Sequence, residues 1–444
     1  MDNAPSVANA SVRESFSMND PSQMFCKALE QWCLEGGSLR QALERFRGHE
    51  IASPAEVIAI CRALDALHSN EALHTTSDGR PLEIIAQLFS TPKTPEAEQA
   101  IIADGLQWLR WYATDALAGK PFDTHDLLSV LKVLAKYRQK EDVSVIYKAI
   151  TFRIAADDPA WFEIFDAFRD QHPYIKPFLQ SLAKHLPHGR CCLAFLTLCN
   201  HIATTKQLQP HAFNAPVSLE KLKSYLHPQS HRSLEFAQAA ICTAPLLEES
   251  NRNTLLQLGD SHPDPSIPFL AKVMRATLGD QREIEALVTR CLDVNQSYET
   301  QLVLKEIGLE KHIPEASQKE DFLALAKTAH WLLSESPLRC SPDRLHLMES
   351  RELFWLPRHH PVRLYAVKYE FDQPQGELAI RDGIALVGSI THSLIGETNA
   401  SMDLVDVYGL HCCWELEALS DPLAPRNRTL KTGRNLLRKH NPHL

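Results

Sequence analysis

The chain has 444 residues, too many for one ordinary core and suited to two or three domains or to one elongated repeat array. Hydrophobic residues at 44% and charged residues at 23% match globular averages and exclude wholesale disorder. The formal charge of -9, from 46 basic and 55 acidic residues, excludes an overall field that would attract nucleic acid or an anionic membrane, so any such binding must be local.

No apolar run approaches the roughly 20 residues of a membrane helix, so no membrane span is expected. Residues Met1 to Asn19 are small and polar with no apolar stretch. They are expected to be a disordered segment lacking the architecture of a secretory signal, which makes the chain a soluble, cytoplasmic protein. Eleven cysteines, an odd number with no CxxC pair, read as reduced thiols.

Helix signals begin at Asp20, which can cap a helix starting on Pro21 and stopping before Gly36-Gly37. Ser53-Pro54-Ala55-Glu56 is a fuller start signal, because Ser53 can accept from the Glu56 amide while the Glu56 carboxylate reaches back to the Ser53 amide. Asp123 precedes a run in which Leu127, Leu131 and Leu134 follow helical spacing, with Lys132 and Lys136 off that stripe. From Trp161 onward, helical segments alternate with breaks at Gln171-His172-Pro173, Pro187-His188-Gly189, His227-Pro228 and Asp264-Pro265, and with a further break near Ser297, which predicts consecutive helical hairpins.

The segment His262-Pro263-Asp264-Pro265-Ser266-Ile267 looks like an inter-helix turn, followed by the stripe Phe269, Leu270, Val273 and Met274. Tyr298 to Gly308 looks like a second helix ending on its glycine. In these features the chain resembles HEAT-like, armadillo-type helical repeats, most clearly from Ser218 to His312. The resemblance implies an α-solenoid over residues 20–342. It implies a packing scheme and transfers no activity.

The pattern changes after Pro361. Tyr365, Val367, Tyr369 and Phe371 share one face of a period-two run, which predicts a strand over Val362 to Phe371. Glu377 to Arg381 and Ile384 to Ile390 flank Asp382-Gly383, a pair that suits a two-residue hairpin turn. Asp403 opens a helix through about Leu419. Together these predict a small α+β module over 353–420, followed by a basic tail over 421–444.

Phosphate-loop, GxGxxG, GxSxG and HExxH motifs are absent from the sequence. Two clusters carry side chains that could bind a metal. In His185, His188, Cys191, Cys192, Cys199 and His201, the residues Cys192, Phe195, Leu196 and Cys199 form an apolar stripe that explains the thiols as core. The second cluster, His411, Cys412 and Cys413, has adjacent residues about 100° apart on a helix, so the three do not converge on one ion from regular geometry. With His392, Glu397 and Glu415 it nevertheless offers the first residues to test for catalysis: His392, Glu397, His411 and Glu415.

Trp108-Leu109-Arg110-Trp111-Tyr112 and Trp161-Phe162 read first as core aromatics, and alternatively as surfaces for a base or a partner. In the tail, Arg426, Arg428, Lys431, Arg434, Arg438 and Lys439 stand without an acid after Asp421, which reads as a fraying, solvated terminus and alternatively as a polyanion contact. The leading expectation is a protein-interaction scaffold with a protein partner and no cofactor. An enzyme or metal site in the C-terminal module and a nucleic-acid-binding repeat protein are the alternatives.

Overall fold

The computed structural model describes residues 21–69, 80–169, 172–205, 210–227 and 234–444. The expected disordered segment 1–19, the Asp20 cap, and Gln171 and Pro228 of the expected breaks lie outside them. The protein is mainly helical with a small four-stranded antiparallel sheet near the C-terminus. No helix among the described residues is long and apolar enough to cross a membrane. The chain divides into two compact units, one ending at Leu270 and one beginning at Ala271, so the division falls inside the helical region and not after Pro342.

In the first unit the local signals act as expected. The helix Pro21–Glu35 stops where Gly36 and Gly37 take φ of 77° and 102°, a conformation that a side chain resists. Before the helix Pro54–Ser69, the buried Glu56 carboxylate accepts from the Ser53 amide at 2.8 Å and the Ala52 amide at 2.7 Å. Asp123 caps the helix Thr124–Tyr137 by accepting from the amides of His125 and Asp126.

The alternate helices Pro81–Ser90 and Thr124–Tyr137 run parallel, and further alternate helices are linked near their starts. At their starts, the Glu83 amide of Pro81–Ser90 donates to Asp126 of Thr124–Tyr137 at 3.0 Å; at their ends, the Tyr137 hydroxyl donates to the Phe89 carbonyl at 2.6 Å. Likewise Thr94, the cap of Pro95–Ala100, donates to the Ala52 carbonyl just ahead of Pro54–Ser69. Arg190, near the start of Gly189–Thr204, pairs with Glu235, near the start of Leu234–Thr243, at 3.1 Å. These four links join residues separated by 43, 48, 42 and 45 positions respectively.

The second unit begins with further helices, among them Gln281–Arg290, Val294–Glu306 and Glu320–Ser334. Ser297 lies inside Val294–Glu306, so the break expected there is corrected to residues 291–293, where Asp293 caps the helix that follows. The sheet comprises β1 (Arg344–Trp355), β2 (His360–Gln375), β3 (Ile380–Val387) and β4 (Thr391–Ser393) in the order β1-β2-β3-β4. Tyr365, Val367, Tyr369 and Phe371 do share a face, packing with Ala324 and Leu332 of Glu320–Ser334. Leu364 and Ala366 face the other way, against Val407, Cys412 and Leu416 of the helix Leu404–Ala418. The sheet is thus covered by a helix on each face.

β1 was not expected from the sequence, and it moves the start of the sheet region from 353 to Arg344. Its register with β2 slips between Leu347 and Glu349. Ahead of that bulge, Leu345 and Leu347 pack on the Glu320–Ser334 side. After it, Leu353 and Trp355 pack on the opposite side. Four odd-numbered residues would otherwise share one face, and the extra residue sends the two pairs to different cores.

The hairpin turn also differs from expectation. Asp382 and Gly383 lie within β3, opposite Glu370 and Tyr369, and the turn is made by residues 376–379, where Gly376 and Ala379 have φ of 64° and 51°. Gly383 is needed for space: a Cβ there would lie 2.3 Å from the Tyr369 hydroxyl, which bonds to Ser393 in the core. Gly383→Val should cost about 3 kcal/mol through overpacking, and Gly376→Ala about 1 kcal/mol through backbone strain. Urea denaturation of the two variants checks this, and a larger loss for Gly376→Ala would reverse the assignment.

The basic tail is the largest correction. Residues Leu430–His440 form a helix with Thr429 and Thr432 as a reciprocal capping box, and it crosses Leu404–Ala418 so closely that a Cβ on Gly433 would lie 2.6 Å from the Gly409 carbonyl carbon. Leu437 joins the core beneath the sheet. Asn441 pairs with the exposed edge of β1, accepting from the Phe354 amide at 2.8 Å and donating to its carbonyl at 3.1 Å.

Candidate functional site

The proposed catalytic residues fall on the Leu404–Ala418 face of the sheet. β4 and that helix bring His392 and His411 together, with ring centroids 4.6 Å apart, and Trp414 stacks on His392 at 4.0 Å. The His411 Nδ1 meets the Val407 carbonyl at 2.8 Å, while its Nε2 faces the His392 carbonyl without an aligned hydrogen bond. Neither ring nitrogen of His392 has a hydrogen-bond partner. Burial is the main cause holding both imidazoles neutral, pushing His392 down to about 3 and His411 to about 4.

Glu415 is buried on the same helix, accepting from the Trp355 indole at 2.6 Å, with the Arg358 guanidinium 2.7 Å from its other oxygen. Glu397 is drawn away from this cluster to Arg428, which also binds Glu417 at 2.9 Å. The four residues therefore do not form one accessible acid–base site. At 6% and 0% exposure, His392 and His411 offer no open face to a substrate.

The metal candidates do not converge. Cys412 packs into the sheet core and the thiol of Cys413 is pushed up by burial to about 11. Cys191, Cys192 and Cys199 are buried, with burial raising the thiols of Cys191 and Cys199, as the core reading of that stripe expects. Among the described residues no group of three His, Cys, Asp or Glu side chains is placed to hold a metal ion. Of the six tail cations, Arg428 and Arg434 are engaged, the latter with Asp406, while Arg426, Lys431, Arg438 and Lys439 are exposed.

The orphaned nitrogens of His392 make a specific expectation. Replacing a buried imidazole that makes no hydrogen bond with a ring of similar size removes a desolvation cost and adds apolar contact. His392→Phe should raise stability by about 1 kcal/mol, read as a higher melting temperature. A lower one would show a hydrogen-bonding role for this ring.

Sequence reasoning passed over a second feature. In the first unit, the helices Pro81–Ser90, Thr124–Tyr137 and Ala160–Asp166 line a groove of ≈ 560 Å³. Its walls carry Arg80, Glu83, His125, Lys132, Asp158 and Glu163. Charges bridge neighbouring helices: Lys132 meets Glu163 at 2.9 Å, and Arg80 meets Asp123 at 3.7 Å. On Thr124–Tyr137 the buried Asp126 carboxyl is pushed up to about 7 by desolvation. The available signal was the pair Lys132 and Lys136 set off the leucine stripe, which marks a wet face without saying what adjoins it. The lining is polar and carries charges of both signs.

Compared with known proteins, the chain matches no protein-family model, no curated protein and no solved structure.

Proposed function

We propose that the protein is a protein-interaction scaffold built as an α-solenoid of HEAT-like hairpins, with the groove along Pro81–Ser90, Thr124–Tyr137 and Ala160–Asp166 as its docking surface. The support is the linking of alternate helices at separations of 42 to 48 positions, a spacing that suits a two-helix repeat. Stacking such units leaves a continuous face for an extended partner. The burial of His392 and His411 puts out of reach the two imidazoles on which the rival enzyme reading relied. The ion pairs of Arg428 and Arg434 diminish the charge available for nucleic acid.

A photo-crosslinking residue placed at Gln87, in the groove, and at Lys148, on the helix Lys140–Thr151, tests the proposal in the native cell. Gln87 should yield discrete crosslinked proteins that Lys148 does not, and Lys132→Glu should abolish them. Identical patterns from both positions, or none from Gln87, would overturn it.

A further inference from the structure

The aromatic run at Trp108 is only partly core. Leu109 and Tyr112 are buried, whereas Trp108 and Trp111 are partly exposed on the helix Leu106–Leu117. Their rings meet edge to face at 5.3 Å, and His68 closes on Trp111 at 4.1 Å. Carboxylates lie on and near the patch. Asp65 accepts from the Trp108 indole at 3.0 Å, and Asp65 and Asp104 both act on the half-buried thiol of Cys61. Asp115 holds Lys120, whose ammonium lies 5.6 Å from the centre of the Trp111 ring.

Two observations give the patch a ligand chemistry. The first is Lys120 itself: a cation already rests over the indole face in a cation–π contact while Asp115 holds its ammonium. The second is the backbone just before it. Ile101–Gly105 is a π turn between Pro95–Ala100 and Leu106–Leu117, a rare backbone form that occurs frequently at functional sites. The turn sets the rotation of the helix that carries Trp108 and Trp111.

We propose that Trp108 and Trp111, with Asp65, Asp104 and Asp115, form a docking site for a basic, arginine- or lysine-bearing segment of a partner protein, and that Lys120 occupies it in the absence of the partner. The partner's cation takes the indole face and Asp115 in place of Lys120, while its flanking basic residues meet Asp65 and Asp104. This deepens the scaffold reading and rests on it, at a surface separate from the groove.

Calorimetric titration of the full chain with a short oligo-arginine peptide, at low and at raised salt, tests the site. Trp111→Leu should weaken binding about fivefold. Lys120→Gln should tighten it about threefold, because the competing internal cation is gone, whereas Lys439→Gln, the same change of net charge at an exposed position of the second unit, should leave it nearly unchanged; equal tightening by both would be general charge attraction and would overturn the proposal. Lys120 is exposed, so that variant keeps the fold whatever becomes of Trp111→Leu. Binding that neither substitution alters would be adhesion to an acidic protein and would overturn the proposal. Absence of binding would overturn it as well, and if crosslinks from Gln87 persist, the scaffold reading stands without this site.

Discussion

Acidification from pH 7.5 to 5.0 should destabilise the second unit by about 4 kcal/mol, a large share of an ordinary folding free energy. His392 and His411 are neutral when folded, at about 3 and about 4, against about 6.5 when unfolded. Their contribution is complete above pH 6.5 and is lost as the unfolded chain takes up protons below it, at about 2 kcal/mol per ring by pH 5. In the first unit, His172 and His211 are also held down, each to about 4 and chiefly by burial. There Asp126 opposes them: its carboxyl is raised to about 7, so protonation favours the folded state over the same range and offsets most of the loss. Acid should therefore loosen the second unit first. Hydrogen exchange read peptide by peptide at the two pH values follows both units in one experiment. Equal loss in both, or greater loss before Leu270, would contradict the assignment, and His392→Phe should remove about half of the effect in the second unit.

Truncation after Ser420 should destabilise the second unit by at least about 5 kcal/mol. The deletion removes Leu437 from the core, takes Asn441 off the edge of β1, and leaves Asp406, whose side chain is 8% exposed, without the Arg434 guanidinium that binds both its oxygens. A buried carboxylate stripped of its partner is the costliest of these losses. Gly433→Ala isolates the packing component, because its new methyl would meet the backbone of Gly409 and neither helix has a side chain that can give way. It should cost about 3 kcal/mol. Urea denaturation of the three proteins orders them as intact, Gly433→Ala and truncated. A truncated chain as stable as the intact one would return residues 421–444 to the frayed tail that their charge suggested.

Local signals in the sequence determined where many elements begin and end. Gly36-Gly37, Asp123 and Asp403 act within a few residues of themselves, through amides that need an acceptor or a backbone that needs positive φ. The alternation of Tyr365, Val367, Tyr369 and Phe371 likewise identified one sheet face, since period two is a property of the strand alone. The rest depended on neighbours distant in sequence. Asp382-Gly383 has turn chemistry, yet the glycine is there because Tyr369 crosses it from the adjacent strand. β1 was hidden by helix-favouring residues such as Leu345, Leu347 and Glu349, and by a bulge that breaks its alternation. The tail looked like free charge until Asp406, Glu397 and Glu417 were placed beside its arginines. Of the candidate site, the sequence supplied the residue types but not their burial. His392 and His411 were named as bases because imidazole can be one, and only the packing of Trp414 and the sheet over them decided that they are neutral and enclosed. Desolvation, close approach and charge pairing are sums over atoms brought together by folding, and no spacing along the chain encodes them.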